Sequence, residues 1–246
     1  MNGSITRADG APSWAADASS RTAFLRGLRV AGSTPGFVLF ATALGFGALA
    51  RDLGVSFAET LLISGVIYAL PAQVILVDQL GRGATLAAAA FAVSLTAIRL
   101  LPMTIALLPY LIDGRGLRPV HFLAGHFVAV TAWIEGNRRL RLVPEHLRLA
   151  HFIGIGLGML VMTALGSAAG HLVSAALAPS VSAALLFMTP IYFLLSLLSS
   201  VTREMDWFAI GLGVVLGPLL FLFLPGPDLM LTGVVGGTIA WWIGRN

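Results

Sequence analysis

The feature that most limits how this chain can fold is a run from Leu149 to Thr202 that contains no Asp, Glu, Lys or Arg. A helix that crosses the hydrocarbon core of a bilayer needs about 20 apolar residues. The run is therefore long enough for two membrane helices, and Pro179 is predicted to separate them. Only 11% of all residues are charged, against roughly 25% in soluble domains, so we predict an integral membrane protein.

The other charged residues bound the remaining spans. They predict an all-α polytopic membrane protein with about eight transmembrane helices, and counts of seven or nine fit if one span is assigned differently. The spans are residues 30–50, 60–77, one long helix between 82 and 113, 119–134, two within 149–202, 207–227 and 229–244. The long third helix contains Arg99 and Pro102, so we predict a kink or a break there.

The basic residues predict the orientation of these spans. All fifteen are Arg, and with an inner N-terminus eleven of them fall on the tails and even-numbered loops, three fall opposite, and Arg99 lies within a span. Cytoplasmic loops of membrane proteins carry an excess of positive charge. We therefore predict that the N-terminus and the C-terminus are both cytoplasmic.

The chain is predicted to have three parts. Residues 1–20 are polar and lack the apolar core of a signal peptide, which indicates a disordered tail. Residues 21–32 alternate Arg with apolar side chains, as a basic helix on the membrane surface would, although an unstructured stretch is the alternative. Residues 33–244 form a single transmembrane domain.

Arg99 is the charged residue that the topology does not explain. It lies fourteen residues from Asp113 and seventeen from Arg82, which is about 20 Å or more of helix at 1.5 Å per residue. Its side chain cannot reach either membrane surface over that distance, so it faces protein or a wet cavity. It marks a substrate path, or it binds carbonyls at a broken helix end, and the two roles are compatible.

Two spans contain a proline beside polar side chains. Pro71 lies in the second span between Tyr68 and Gln73, and Pro190 lies in the sixth span beside Tyr192. Proline removes a backbone hydrogen bond, and broken helices in the two halves of a transporter expose backbone groups to a ligand. We predict Pro-broken helices near the midplane, with two independent kinks as the alternative.

Glycine spacing predicts close helix packing at three places. The positions are Gly154, Gly156 and Gly158, then Gly166 with Gly170, then Gly211, Gly213 and Gly217.

Enzyme chemistry has little support in the sequence. The chain has no Cys and no Lys, which excludes thiolate nucleophiles, Cys-ligated metals and a P-loop. Ser167 and His171, four residues apart, are a neighbouring Ser and His that could form a nucleophile and base, and they lack the G-x-S-x-G setting. His146 and His151 lack an H-E-x-x-H frame. We therefore expect no enzymatic activity, no cofactor and no metal site.

Several of these residues together resemble a known family. The run from Leu53 to Ser56, the polar residues of the second span, Arg99, and the segment from Phe187 to Phe193 are similar to the large subunit of the AzlC/YgaZ family of branched-chain amino acid exporters. The resemblance implies export of Leu, Ile, Val or related apolar amino acids across a bacterial inner membrane. It also implies coupling to the proton-motive force and a small hydrophobic membrane subunit of the AzlD type.

This chain departs from the family pattern at two places. The third span has Ala97 where the family has a polar or acidic residue two positions before the Arg. In the fourth span Thr131 is followed by Ala132 and Trp133, where the family often has an acidic pair. These differences bear on the substrate more than on membership of the family.

The chemistry of an amino acid then predicts the site. Its carboxylate needs a cation or a helix N-terminus, its ammonium needs acceptors, and its side chain needs an apolar pocket. The predicted substrate-binding residues are Arg99, Gln73, Tyr68, Pro71, Pro190, Phe187, Phe193, Thr131 and Trp133, and the predicted coupling or gating residues are Glu59, Asp78 and His126. The alternative is a non-transporting membrane subunit or assembly factor in which Arg99 is structural.

Overall fold

The computed structural model describes residues 19–98, 100–112, 116–176, 178–198, 201, 204–223 and 228–243. All regular elements in these ranges are helices. In chain order they are α1 (Ser20–Leu28), α2 (Thr34–Asp52), α3 (Phe57–Val66), α4 (Leu70–Gly81), α5 (Leu86–Ala97), α6 (Leu100–Leu111), α7 (Pro119–His126), α8 (Val130–Arg139), α9 (Glu145–Val173), α10 (Pro179–Leu198), α11 (Glu204–Phe223) and α12 (Asp228–Ile243), with short 3-10 turns at Arg29–Gly32, Leu140–Leu142 and Ser174–Ala176. The all-α prediction is confirmed for this part of the chain.

The long helix α9 lies at the centre of the packing. Helices α1 and α2 run along it, α3, α6, α7 and α8 contact it, α10 packs against α2, and α11 and α12 pack against each other. The α2–α9 contact is close because Gly47 lies on the carbonyl of Ser167, and Gly170 lies on the carbonyl of Leu44. A Cβ at either glycine would overlap backbone, so small residues are required there.

The glycine predictions are confirmed on α9 and not on α11. Gly154 and Gly158 lie against α1, and Gly166 lies against α2. A Cβ at Gly211, Gly213 or Gly217 would meet no atom of the described residues within 4 Å. None of these three glycines therefore lies close to a neighbouring helix in the described structure.

Three helices of the described chain are long and apolar enough to cross a membrane. They are Thr34–Asp52, Glu145–Val173 and Asp206–Phe223, and the bent pair α5–α6 makes a fourth if it counts as one span. The chain is therefore a helical membrane protein, while the count of eight spans and the orientation stay predictions.

The third predicted span is bent as the sequence indicates. The axes of α5 and α6 differ by 49° at a break between Ala97 and Leu100. The prediction of a kink or break near Arg99 is confirmed, although Arg99 itself lies outside the described residues.

The second predicted span is broken, and the break begins before Pro71. Helix α3 ends at Val66, Ile67 to Ala69 are not helical, and Pro71 lies in the first turn of α4. Amide groups in the first turn of a helix have no intrahelical acceptor, so proline is tolerated there. Pro71 thus starts a new helix and does not kink a continuous one.

The predicted break at Pro190 is wrong. The backbone of α10 is helical from Pro179 to Leu198, through Pro190. A proline inside a helix removes one hydrogen bond, and the neighbouring turns can keep theirs, as they do at Pro109 of α6 and Pro218 of α11. The structure instead breaks the fourth predicted span, at Phe127 to Ala129 between α7 and α8.

The basic segment after the tail forms α1, followed by the 3-10 turn at Arg29–Gly32. His151 Nδ1 lies 3.0 Å from the carbonyl oxygen of Ala23, which fixes α1 to α9. The predicted position of this helix on the membrane surface stays a prediction, and residues 1–18 lie outside the described residues.

Candidate solute-binding site

The break between α3 and α4 is held open by its own hydrogen bonds. The amide of Ala69 donates to the carbonyl of Ile67 at 2.8 Å, and the Gln73 side chain donates from Nε2 to the same oxygen at 2.6 Å. Ala69 is extended, and its methyl group cannot cap the helix that follows. The sequence Ile67–Ala69 is therefore a stable unwound segment and not a frayed helix end.

Two buried polar atoms at this break have no partner among the described residues. They are the hydroxyl of Tyr68 and Oε1 of Gln73. Both residues are buried, Gln73 completely. An unpaired polar group in the interior costs about 1–3 kcal/mol, so the arrangement favours a bound group that donates to Gln73 and pairs with Tyr68.

A second break separates α7 from α8 at Phe127–Ala129. The amide of Ala129 donates to the carbonyl of Phe127 at 2.9 Å, and the amide of Trp133 restarts the helix by donating to Ala129 at 2.8 Å. Phe127 lies directly against α9, where a Cβ on Gly156 would overlap its side chain. The indole Nε1 of Trp133 is buried without a partner in the described structure.

The two breaks touch each other. Nε2 of His126 lies 3.1 Å from the carbonyl oxygen of Gly65, which joins the end of α7 to the end of α3. The Tyr68 ring lies 6.3 Å from the ring of His126 and 6.5 Å from that of Phe127, measured between centroids. Two unwound segments, distant in sequence, thus form one cluster around Tyr68.

Helix α9 fixes the first half-helix in place. Ser64 donates from Oγ to Oγ of Ser167 at 2.8 Å, and both residues are fully buried. Nε2 of His171 lies 2.9 Å from the carbonyl oxygen of Val55. Ser167 and His171 therefore bind α3 and the loop before it, an arrangement unlike the hydrogen-bonded nucleophile and base of a hydrolase.

Two predicted coupling residues have local structural partners. Glu59 completes a capping box at the start of α3, where Oε2 accepts from the amide and the hydroxyl of Ser56. Asp78 forms an exposed ion pair with Arg82 at 2.9 Å. Their coupling roles stay predictions, and these contacts show what each carboxylate does in the described conformation.

Glu135 is a buried carboxylate that no sequence pattern singled out. The fourth predicted span ends at residue 134, but α8 continues to Arg139 and buries Glu135, with 4% of its side chain exposed. Its Oε2 accepts from Nε of Arg139 at 2.7 Å, and Arg138 lies 3.8 Å from Oε1. The sequence does place Glu135 four residues before Arg139, but acidic and basic residues at this spacing are common on exposed helix faces, so the spacing alone does not indicate burial.

The other predicted site residues are spread over the fold. Thr131 is buried in the first turn of α8, and Trp133 follows it on the same helix. Phe187 is 65% exposed on α10. The backbone at Pro190 and Phe193 is helical, but the structure does not describe the side chains of these two residues. Arg99 lies outside the described residues. Among the described residues, no cluster of three His, Asp or Glu could hold a metal ion.

The fold and the paired breaks define a helical membrane protein whose polar groups gather between discontinuous helices. A family model described as AzlC protein matches residues 36–177. The match covers more than half of the chain, so the protein belongs to the AzlC family. It covers α2 from Gly36 onward, all of α3 to α9 and both breaks, and it ends before α10 begins. No curated protein and no solved structure matches the chain.

Proposed function

We propose that this protein is a secondary transporter that exports branched-chain or other small apolar amino acids. The observation that carries the proposal is the unwound segment at Tyr68, where a buried hydroxyl and the buried Gln73 Oε1 lack partners in the described structure of an AzlC-family membrane protein. Discontinuous helices commonly bind small solutes in transporters because their free backbone groups replace water.

An amino acid would complement the first break. Gln73 Oε1 can only accept a hydrogen bond, so an ammonium group is its natural partner, and the Tyr68 hydroxyl can donate or accept. The apolar side chain would lie against the hydrophobic core cluster that contains Tyr68, whose members include Leu70, Phe127 and Val128. Arg99 is proposed to bind the carboxylate, as its place in the third span suggests.

The proposed topology has eight spans. Counting α3–α4, α5–α6 and α7–α8 as one span each, together with α2, α9, α10, α11 and α12, gives that number. An even number of spans places both termini on one side. The excess of Arg on the tails and even-numbered loops supports a cytoplasmic location for both, in a bacterial inner membrane.

Export is proposed to need a small hydrophobic subunit of the AzlD type and the proton-motive force. A titratable group near the breaks is one requirement of proton coupling, and His126 is the candidate there because its ring contacts Tyr68. We also propose that the chain has no enzymatic activity, and the separate hydrogen bonds of Ser167 and His171 support this.

Leucine counterflow in proteoliposomes tests the function. Vesicles that contain the protein and its small partner, loaded with unlabelled leucine, are expected to accumulate labelled leucine, whereas vesicles with the partner alone are not. An imposed proton gradient is expected to increase net flux. If no amino acid of the panel Leu, Ile, Val and Met moves, the transporter proposal fails, and a non-transporting membrane subunit takes its place.

A further inference from the structure

The two broken helices have similar sequences at their breaks. Residues 65–74 and 125–134 align without a gap, and each position of the second segment lies sixty residues after its counterpart. The identical pairs are Gly65 with Gly125, Ala69 with Ala129 and Ala72 with Ala132. Small residues therefore recur at the same three places in both breaks.

The backbone repeats in the same register. Ala69 and Ala129 are both extended, and the amide of each donates to the carbonyl two residues earlier, at 2.8 and 2.9 Å. In both, the helix restarts when the residue four positions later donates to the Ala carbonyl, Gln73 at 3.0 Å and Trp133 at 2.8 Å. Sequence and hydrogen bonds thus indicate an internal repeat, which is common in transporter folds.

The repeat makes Gln73 and Trp133 equivalent positions. In the described structure each of these two residues keeps one buried polar atom without a partner, Oε1 of Gln73 and Nε1 of Trp133. The two atoms have opposite hydrogen-bonding character, because an amide oxygen only accepts and an indole N–H only donates. A ligand that satisfies both must carry a donor at one end and an acceptor at the other.

We propose that the two breaks form one binding site in which Trp133 Nε1 donates a hydrogen bond to the carboxylate of the solute, in addition to the proposed contact with Arg99. The inference rests on the proposed function and deepens it, because it gives Trp133, predicted only as a substrate-binding residue, a specific polar role. The buried, unpartnered Tyr68 hydroxyl lies where the breaks meet, through its ring contacts with His126 and Phe127. The first amide groups of α8, which Ala129 cannot cap, add positive potential for a carboxylate.

The test compares three probes that differ in their charged groups. L-Leucine has both groups, 4-methylpentanoate lacks the ammonium, and 3-methylbutylamine lacks the carboxylate. Their dissociation constants are measured by calorimetry on the purified full chain and on the variant Trp133→Phe. The control Trp242→Phe alters an exposed tryptophan on α12. Thermal unfolding and size-exclusion profiles check that each variant is folded.

Trp133→Phe is expected to weaken leucine and 4-methylpentanoate about tenfold, the effect of one hydrogen bond to a charged group, and to leave 3-methylbutylamine unchanged. Trp242→Phe is expected to change none of the three. An equal loss for all three probes would mean a packing role and overturn the inference, as would no loss at all. If carboxylate binding depends on Trp133 but the protein transports no amino acid in proteoliposomes, the proposed function fails and the inference about Trp133 stands. Failure of the wild type to bind any probe, both alone and together with the small subunit, would contradict both.

Discussion

Ser64 on α3 and Ser167 on α9 are joined by a hydrogen bond of 2.8 Å between two fully buried hydroxyl groups. The bond lies one helical turn before the unwound segment that begins at Ile67. It therefore fixes the end of the first half-helix against the longest helix of the fold, and with it the position of Tyr68.

Removing either hydroxyl is expected to destabilise the protein. Ser64→Ala and Ser167→Ala should each lower the free energy of unfolding by about 1 kcal/mol, a typical value for hydrogen bonds between membrane helices. The double variant should lose less than the sum, because the second change removes a group already unpaired. A cycle measured by thermal or denaturant unfolding in detergent checks this, and strict additivity would show that the hydroxyl groups do not interact.

A pair of glycine variants tests the packing of α2 against α9. Gly170→Ala places a Cβ on the backbone of Leu44, so we expect a loss of about 1–3 kcal/mol in unfolding free energy. Gly213→Ala meets no described atom within 4 Å and should leave stability unchanged or slightly raised, because alanine favours helix. Melting temperatures measured side by side give the comparison, and equal effects would contradict the packing.

A variant of Tyr68 is expected to change solute binding without changing folding stability. Tyr68→Phe removes a hydroxyl without a partner in the described structure, so folding stability should not fall. If the hydroxyl binds the solute, the dissociation constant for leucine should rise about five- to tenfold. The control is Tyr110→Phe on α6, whose ring lies beside Arg141 at the opposite end of α8 from the break, and it should not alter binding. A loss of stability without a loss of affinity would assign Tyr68 to structure.

Two ion pairs with the same i, i+4 spacing differ in burial. Arg139→Ala removes the closer of two Arg partners from Glu135, which is 4% exposed, whereas Arg82→Ala removes the ion-pair partner of Asp78, which is 40% exposed. We expect Arg139→Ala to lower the free energy of unfolding by about 1–2 kcal/mol. This is less than for a fully buried ion pair, because Arg139 is 44% exposed and Arg138 remains near Glu135. Arg82→Ala should cost at most about 0.5 kcal/mol. Chemical denaturation of both variants measures the difference, and equal losses would contradict the role of burial.

Much of the fold could be predicted from the sequence, because membrane helices follow simple rules of length and polarity. The charge-free run from Leu149 to Thr202 indicated α9 and α10, and Arg99 with Pro102 indicated the bend between α5 and α6. The glycines of α9 indicated its close packing, since only small side chains permit backbone contact.

The breaks are harder to predict, because the presence of a proline does not determine where a helix is interrupted. Pro190 lies in a continuous helix, whereas the break at Phe127 has no proline beside it. What the two breaks share is the spacing of Gly, Ala and Ala, a weak signal in a chain rich in both residue types. The contact between His126 and Gly65 depends on how segments distant in sequence pack together, and the hydrophobic periodicity of a sequence gives no information about such contacts.

The central claim is that the break around Tyr68 is where the solute binds during transport, and labelling of a single cysteine tests it most directly. The chain has no Cys, so the partly buried Ala69→Cys can be labelled without background. The control is Leu142→Cys, an exposed position in the turn between α8 and α9, outside the proposed spans. We predict that saturating leucine slows the reaction of a water-soluble methanethiosulfonate with Ala69→Cys and leaves Leu142→Cys unaffected. No reaction at Ala69→Cys, or a rate that leucine does not change in a variant that still transports it, would contradict the account.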